Sequence, residues 1–146
     1  MPMTLDGSCQ CGGVRFTLQS HTPVPYQLCA CSICRKVGGY SGSVNLGGLS
    51  ETLQIHDDGE TLVKKYNATC VAARVAQGKE KEERSSGAKR KKLSSERAFC
   101  AECSTMLWVY DAAYPDLIHP FASAIDTELP VPDEMVCIRA DSKPDW

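Results

Sequence analysis

The chain has 146 residues, 42% of them hydrophobic, and a formal net charge of −2. That length suits one domain with a modest core, and so small a net charge gives no global attraction to nucleic acid. No apolar run approaches the ~20 residues of a membrane-spanning helix. The opening "MPMTLDGSCQC" has neither the basic nor the apolar region of a secretory leader.

In chain order, the first chemical feature is Cys9-Gln10-Cys11, followed by Gly12 and Gly13. Glycines here permit the unusual chain path that backbone amides take around bound sulfurs. Short apolar or alternating runs follow, bounded by Gly, Pro, Asp and Ser, and these are predicted strands. The first are "VRFTL" (14–18) and "YQLCA" (26–30). The second run leads into Cys29-Ala30-Cys31-Ser32-Ile33-Cys34, three cysteines in six residues. Next come "GSVNL" (42–46), "LQIH" (53–56) and "TLVKKY" (61–66), the last two separated by "DDGE". An Asp-Gly pair between two such runs predicts a hairpin, with Gly59 taking the positive φ of the turn.

Residues 77–97, "QGKEKEERSSGAKRKKLSSER", hold one large apolar residue, Leu93, and eight of the sixteen Lys and Arg. The remainder of the chain has eight basic against fourteen acidic residues, a net −6. A segment that buries so little apolar surface is predicted to be a charged surface loop between strands. "KRKK" (Lys89 to Lys92) carries the sharper alternatives of a nuclear address or a nucleic-acid contact, from a pattern of low specificity. Strand-like runs then resume with "TMLWVY" (105–110), "LIHPFA" (117–122) and "MVCIR" (135–139), after the pair Cys100-Ala101-Glu102-Cys103. No long run has a clean helical period, so little helix is expected.

Seven of the nine cysteines fall in these three clusters. In a reducing, cytoplasmic setting a disulfide framework is not expected, and metal binding becomes the leading reading. Zinc prefers thiolates in a tetrahedron. The simplest partition joins Cys9 and Cys11 to Cys100 and Cys103 as one closed four-sulfur site, structural in character. Cys29, Cys31 and Cys34 remain. They form either a three-ligand site with an open position, as catalytic zinc has, or a second closed site with Cys70 or Cys137 as fourth ligand. Otherwise Cys70 and Cys137 are buried thiols.

The segments "GSCQCGGVRF" (7–16), "CACSICRKVGG" (29–39) and "FCAEC" (99–103), with "SAIDTELP" (123–130) after them, resemble the signatures of the glutathione-dependent formaldehyde-activating (GFA) family. That family also includes centromere protein V-like proteins. The resemblance covers roughly residues 7–125 and treats 1–146 as a single GFA-like zinc domain. It implies a mainly β fold of small coiled sheets with a zinc-ribbon-like clip. It also implies two Zn²⁺ per chain: a structural one on Cys9, Cys11, Cys100 and Cys103, and an open one on Cys29, Cys31 and Cys34. The implied activity is addition of glutathione to formaldehyde, a carbon–sulfur lyase reaction, or a related reaction on another small molecule. Ser104 stands where the family usually has Gly, so the turn after the last cysteine pair must form without glycine's freedom.

For an enzyme of this kind the expected partner is a small-molecule thiol such as glutathione, with no membrane and no nucleic acid. A thiol taken as fourth ligand on zinc is deprotonated outright, where a free one is mostly protonated at neutral pH. Arg35, directly after Cys34, is a candidate for holding a substrate carboxylate or neutralising the thiolates, and Lys36 shares that reading; the alternative is a pair of exposed charges on a turn. His56 and His119 are candidates for proton transfer, though a lone His in a strand is more often a packing or surface residue. Trp108, Tyr110 and Phe121 are expected in the core, with a pocket wall as the alternative. The competing class is a non-enzymatic, zinc-stabilised binding module, with a nuclear address in Lys89–Lys92.

Overall fold

A computed structural model describes residues 2–21, 24, 26–71 and 90–145. The architecture is mainly β, as expected. Strands β1 (Met3–Ser8), β2 (Arg15–Ser20) and β6 (Gln54–Ile55) form one sheet in the order β1-β2-β6. Strands β5 (Gly48–Leu49), β7 (Val63–Val71), β8 (Arg90–Cys100), β9 (Met106–Asp111) and β10 (Leu117–Pro120) form a second, ordered β5-β10-β9-β8-β7. Strands β3 (Tyr26–Cys29), β4 (Ser43–Asn45) and β11 (Met135–Ile138) form the third, ordered β11-β3-β4. Within it β11 runs parallel to β3, while the other strand pairs are antiparallel. The one α-helix among the described residues is α1 (Ser32–Gly38), in keeping with the absence of long helical periodicity.

The period-two pattern builds the core. Along β1 and β2, Leu5, Gly7, Phe16, Leu18 and Ser20 point inward, while Thr4, Asp6, Arg15 and Gln19 stay outside. Gly7 lies opposite Phe16, and a Cβ there would lie 2.4 Å from the Phe16 ring, so the glycine is what admits the aromatic. Phe16 meets Trp108 edge-on, centroids 5.0 Å apart at 72°, a favourable quadrupole arrangement. This contact packs the first sheet on the second. Leu46, Leu107 and Ile118 join the same core. Backbone links complete the joins, including Leu46 N–H to Pro120 O at 2.9 Å and Ala101 N–H to Leu62 O at 2.8 Å.

Two expectations change. The hairpin predicted across residues 57–60 does not form: β6 pairs with β2, and β7 pairs with β8. The positive φ angles fall on Asp57 (50°) and Asp58 (57°), not on Gly59. Gly59 is buried in a 3₁₀ turn, Gly59–Leu62, where a Cβ would lie 3.1 Å from Gly13 O. The segment is a crossing between two sheets, and its glycine serves close approach. The loop predicted at 77–97 is also too long. Its last part, from Arg90, is strand β8, laddered to β7; residues 77–89 lie outside the described residues, as does Lys89 of the proposed nuclear address. Backbone pairing makes no demand on side-chain hydropathy, and Lys64, Lys65, Lys91 and Lys92 all lie exposed along the ribbon. Such charges also discourage edge-to-edge association.

Candidate metal centres

The sulfurs of Cys9, Cys11, Cys100 and Cys103 gather with every pair within 4.8 Å, and those of Cys29, Cys31 and Cys34 do the same. These are the two groups expected from the sequence. The first joins the turn after β1 to the turn after β8. Both turns are built alike. Gly12 N–H donates to Cys9 O at 3.0 Å and Ser104 N–H to Cys100 O at 2.9 Å. Gly12 has φ 76° and Ser104 φ 63°, so the serine adopts the left-handed conformation glycine would otherwise supply. Val14 N–H donates to Cys9 Sγ at 3.2 Å, and Thr105 Oγ1 lies 3.2 Å from Cys103 Sγ. Such contacts hold sulfur as acceptor, as a metal-bound thiolate requires. Thr105 Oγ1 also accepts from Gln10 N–H at 3.0 Å, tying the two turns together.

The geometry fits a tetrahedral metal. Bonds of about 2.3 Å to four sulfurs give a tetrahedron edge of about 3.8 Å. Cys9 and Cys11 Sγ are 3.5 Å apart, and Cys11 and Cys100 Sγ 3.8 Å. Without a cation the proximity of the sulfurs is felt in their titration. The Gly13 amide pulls the Cys11 thiol down, but its neighbours Cys9, Cys103 and Cys100 outweigh it and push it up to about 12. Cys103 is lowered to about 5, chiefly by the Thr105 hydroxyl.

The second group is held by β3 and α1. Cys29 ends β3, where Ile138 of β11 pairs with it on one side and Ser43 of β4 on the other. Cys31 is the N-cap of α1, its sulfur accepting from Cys34 N–H at 3.3 Å. The CxxC spacing thus becomes one helical turn with both sulfurs facing Cys29. Gly42 has φ 118°, and a Cβ there would come within 1.9 Å of Cys29 O; only glycine lets β4 close against this cysteine. Cys29 and Cys34 are buried and Cys31 is half-buried. Contacts from Cys29 and Cys31, with help from Ser43 and Arg97, pull the Cys34 thiol well below its ordinary value, while Cys31 and Cys34 drive Cys29 upward. Three sulfurs this close do not all carry charge unless a cation joins them.

Arg35 Nη1 donates to Ala30 O and to Ser142 O, both at 2.5 Å, and so clamps the C-terminal turn onto α1; Lys36 is exposed. Cys137 is exposed on β11 rather than buried, and joins neither group. The side chain of Cys70 lies outside the described residues. His119 is half-buried, its Nδ1 3.3 Å from Leu46 O. His56 contributes its backbone, donating to Arg15 O at 2.9 Å and accepting from Gly59 N–H. Trp108 and Phe121 are core residues, at 4% and 2% exposed.

A cleft of about 640 Å³ is lined by residues next in the chain to both cysteine groups, within the roughly 300–1,000 Å³ of small-molecule sites. Gly38, Gly42 and Ser43 line it from the three-sulfur side, Ser104 and Thr105 from the four-sulfur side, with Phe121 also in its wall. Ser43 lines the cleft and helps to lower the Cys34 thiol, while its hydroxyl donates to Asn45 Oδ1 at 3.3 Å. A second cavity, about 660 Å³, lies against Trp108, Tyr110 and Glu96; neither cavity has a cysteine in its lining, but only the first is lined by chain neighbours of both cysteine groups. The residue missed in the sequence is Arg97, which is 6% exposed and donates from Nη2 to Cys34 Sγ at 3.7 Å. It closed the basic run, and its one signal was the apolar "AFC" directly after it.

Fold and donor set define a small β protein with two cysteine clusters able to hold metal ions. The sequence profile of the family described as "Glutathione-dependent formaldehyde-activating enzyme" matches residues 4–77. A Halomonas elongata protein named "Putative glutathione-dependent formaldehyde-activating enzyme" is 41% identical over 145 residues, covering 99% of this chain and 80% of its own length. The chain belongs to the GFA family. The crystal structure of a Rhodobacter sphaeroides protein shares the fold, with a TM-score of 0.59 at 17% identity, covering 89% of this chain and 98% of the other. No helix among the described residues is long and apolar enough to cross a membrane.

Proposed function

We propose that the chain works as one GFA-type zinc domain, a carbon–sulfur lyase joining a small thiol such as glutathione to formaldehyde, in a reducing compartment such as the cytoplasm. Cys9, Cys11, Cys100 and Cys103 hold a structural zinc, and Cys29, Cys31 and Cys34 a second one with an open position. The observation that carries this reading is the three-sulfur group, with no fourth ligand joining it among the described residues, set beside a ligand-sized cleft through Ser43. Zinc bound there would act as a Lewis acid that keeps an incoming thiol in its nucleophilic, deprotonated form.

The protein's own groups do the rest. Of the three cysteines, Cys31 is half-buried, while Cys29 and Cys34 are buried. The serine and threonine hydroxyls of the cleft offer polar contacts to a peptide-like thiol, while Phe121 and Val44 supply apolar wall. Holding sulfur and aldehyde side by side turns a bimolecular addition into an oriented one. A sulfur–carbon bond forms, the thiol proton leaves sulfur, and the aldehyde oxygen gains a proton, giving S-hydroxymethylglutathione.

The test is the rate of exchange between formaldehyde and its glutathione adduct, measured by NMR with the zinc-loaded protein. Cys34→Ser should abolish the enhancement while leaving the fold and one zinc per chain. A variant as active as the parent would sink the proposal.

A further inference from the structure

Arg97 is an unusual residue to bury. It lies mid-strand in β8 with Tyr66 of β7 and Val109 of β9 directly beside it in the ladder. Only 6% of it is exposed. Its Nη2 donates to Cys34 Sγ at 3.7 Å, while Nε and Nη1 are buried with no hydrogen-bond partner among the described residues. A guanidinium keeps its charge in any protein environment, and a buried charge without a counter-charge is strongly destabilising. The anion it meets is the cysteine group.

Resting on the proposed open zinc at that group, the charge count decides what can bind there. Three thiolates and a divalent ion sum to −1, so a thiolate arriving as fourth ligand would bring the centre to −2 in a largely buried setting. With Arg97 those values become 0 and −1. A neutral ligand leaves the charge unchanged and needs no such help. We propose that Arg97 is the built-in counter-charge of the Cys29–Cys31–Cys34 centre, a positioning residue that sets it to accept an anionic sulfur ligand in preference to a neutral one.

The test uses the full chain with cobalt in both sites, so that the visible spectrum reports coordination. Two probes are titrated, 2-mercaptoethanol, which binds as a thiolate, and imidazole, which binds neutral. In Arg97→Gln the affinity for the thiolate should fall at least about tenfold, the scale of one lost charge-assisted interaction, while imidazole affinity stays within about twofold. Arg97→Met, whose apolar chain needs no buried partner, should show the same selective loss, and Arg97→Lys should retain most of the preference. The four-sulfur cobalt band is the control for folding. Equal affinities in parent and variants, or a parallel loss for both probes, would overturn the assignment and leave Arg97 a packing residue. A parent chain that takes up no thiolate would instead overturn the open-site reading on which the inference rests.

Discussion

Ser104 carries φ 63°, a region that costs an L-residue about 1–2 kcal/mol and costs glycine almost nothing. Its N–H hydrogen bond to Cys100 O needs that conformation, because the turn must bring Cys103 back beside Cys100. The turn that gathers the cysteines therefore imposes the geometry and the serine tolerates it. Ser104→Gly should raise the stability of the zinc-loaded protein by up to about 1 kcal/mol, part of the gain being offset by glycine's extra freedom when unfolded. A denaturant midpoint that moves downward would show that the Ser104 side chain makes a contact worth more than the strain. The two cysteine clusters were legible in the sequence because CxC, CxCxxC and CxxC spacings bring sulfurs together locally. Arg97 was not legible: an arginine in a basic run reads as solvated, and only the folded ladder shows the same side chain turned onto Cys34.

At the level of elements, α1 is too short at seven residues to be stable alone, since isolated helices below roughly 12–15 residues are marginal. Two things hold it. Cys31 caps its first turn, and Arg35 ties its body to the carbonyls of Ala30 and Ser142. A hydrogen bond from a charged donor contributes about 1.5–3 kcal/mol. Arg35→Gln should therefore lose about 2 kcal/mol of stability and loosen the C-terminal turn, seen as faster amide exchange over residues 138–143. Its glutathione KM should stay near that of the parent protein. A raised KM with unchanged stability would return Arg35 to the substrate-binding role expected from its place after Cys34. Strands are legible in the sequence where apolar residues alternate, as in β2, or run together between turn residues, as in β9. They were missed where ladder bonding alone defines them, as in the charged half of β8. The pairing of β6 with β2 was missed as well, because an Asp-Gly signal reports a local turn and says nothing about which sheet each flank joins.

For the whole molecule, the four-cysteine group is the one that spans the chain. It fastens the turn after β1 to the turn after β8 and so joins the first sheet to the second. The three-cysteine group is local, with all its ligands between residues 29 and 34. Core and clip must share the work of folding. The largest fully buried apolar side chains are few, among them Phe16, Phe121, Leu5, Leu18, Leu46 and Leu107, each contributing about 1.5–3 kcal/mol. A closed thiolate site contributes about 10–16 kcal/mol of apparent binding energy in small zinc modules, all of it folding energy where the unfolded chain has no preformed site. The two centres should therefore fail differently. Cys100→Ser, or a strong chelator on the parent chain, should unfold the protein cooperatively, with loss of the Trp108 fluorescence signature and of near-UV circular dichroism. Cys34→Ser should remove one zinc and lower the denaturant midpoint, because it takes the partner of buried Arg97, but it should leave both signals in place under native conditions. Acid should act like the chelator, because thiols must shed their protons to bind metal, so zinc bound at neutral pH should be lost as the pH falls. Unfolding and release of the four-sulfur zinc should then coincide in an acid titration followed by fluorescence and a zinc-sensitive dye. Release of that zinc from a chain that stays folded would show that the apolar core suffices alone.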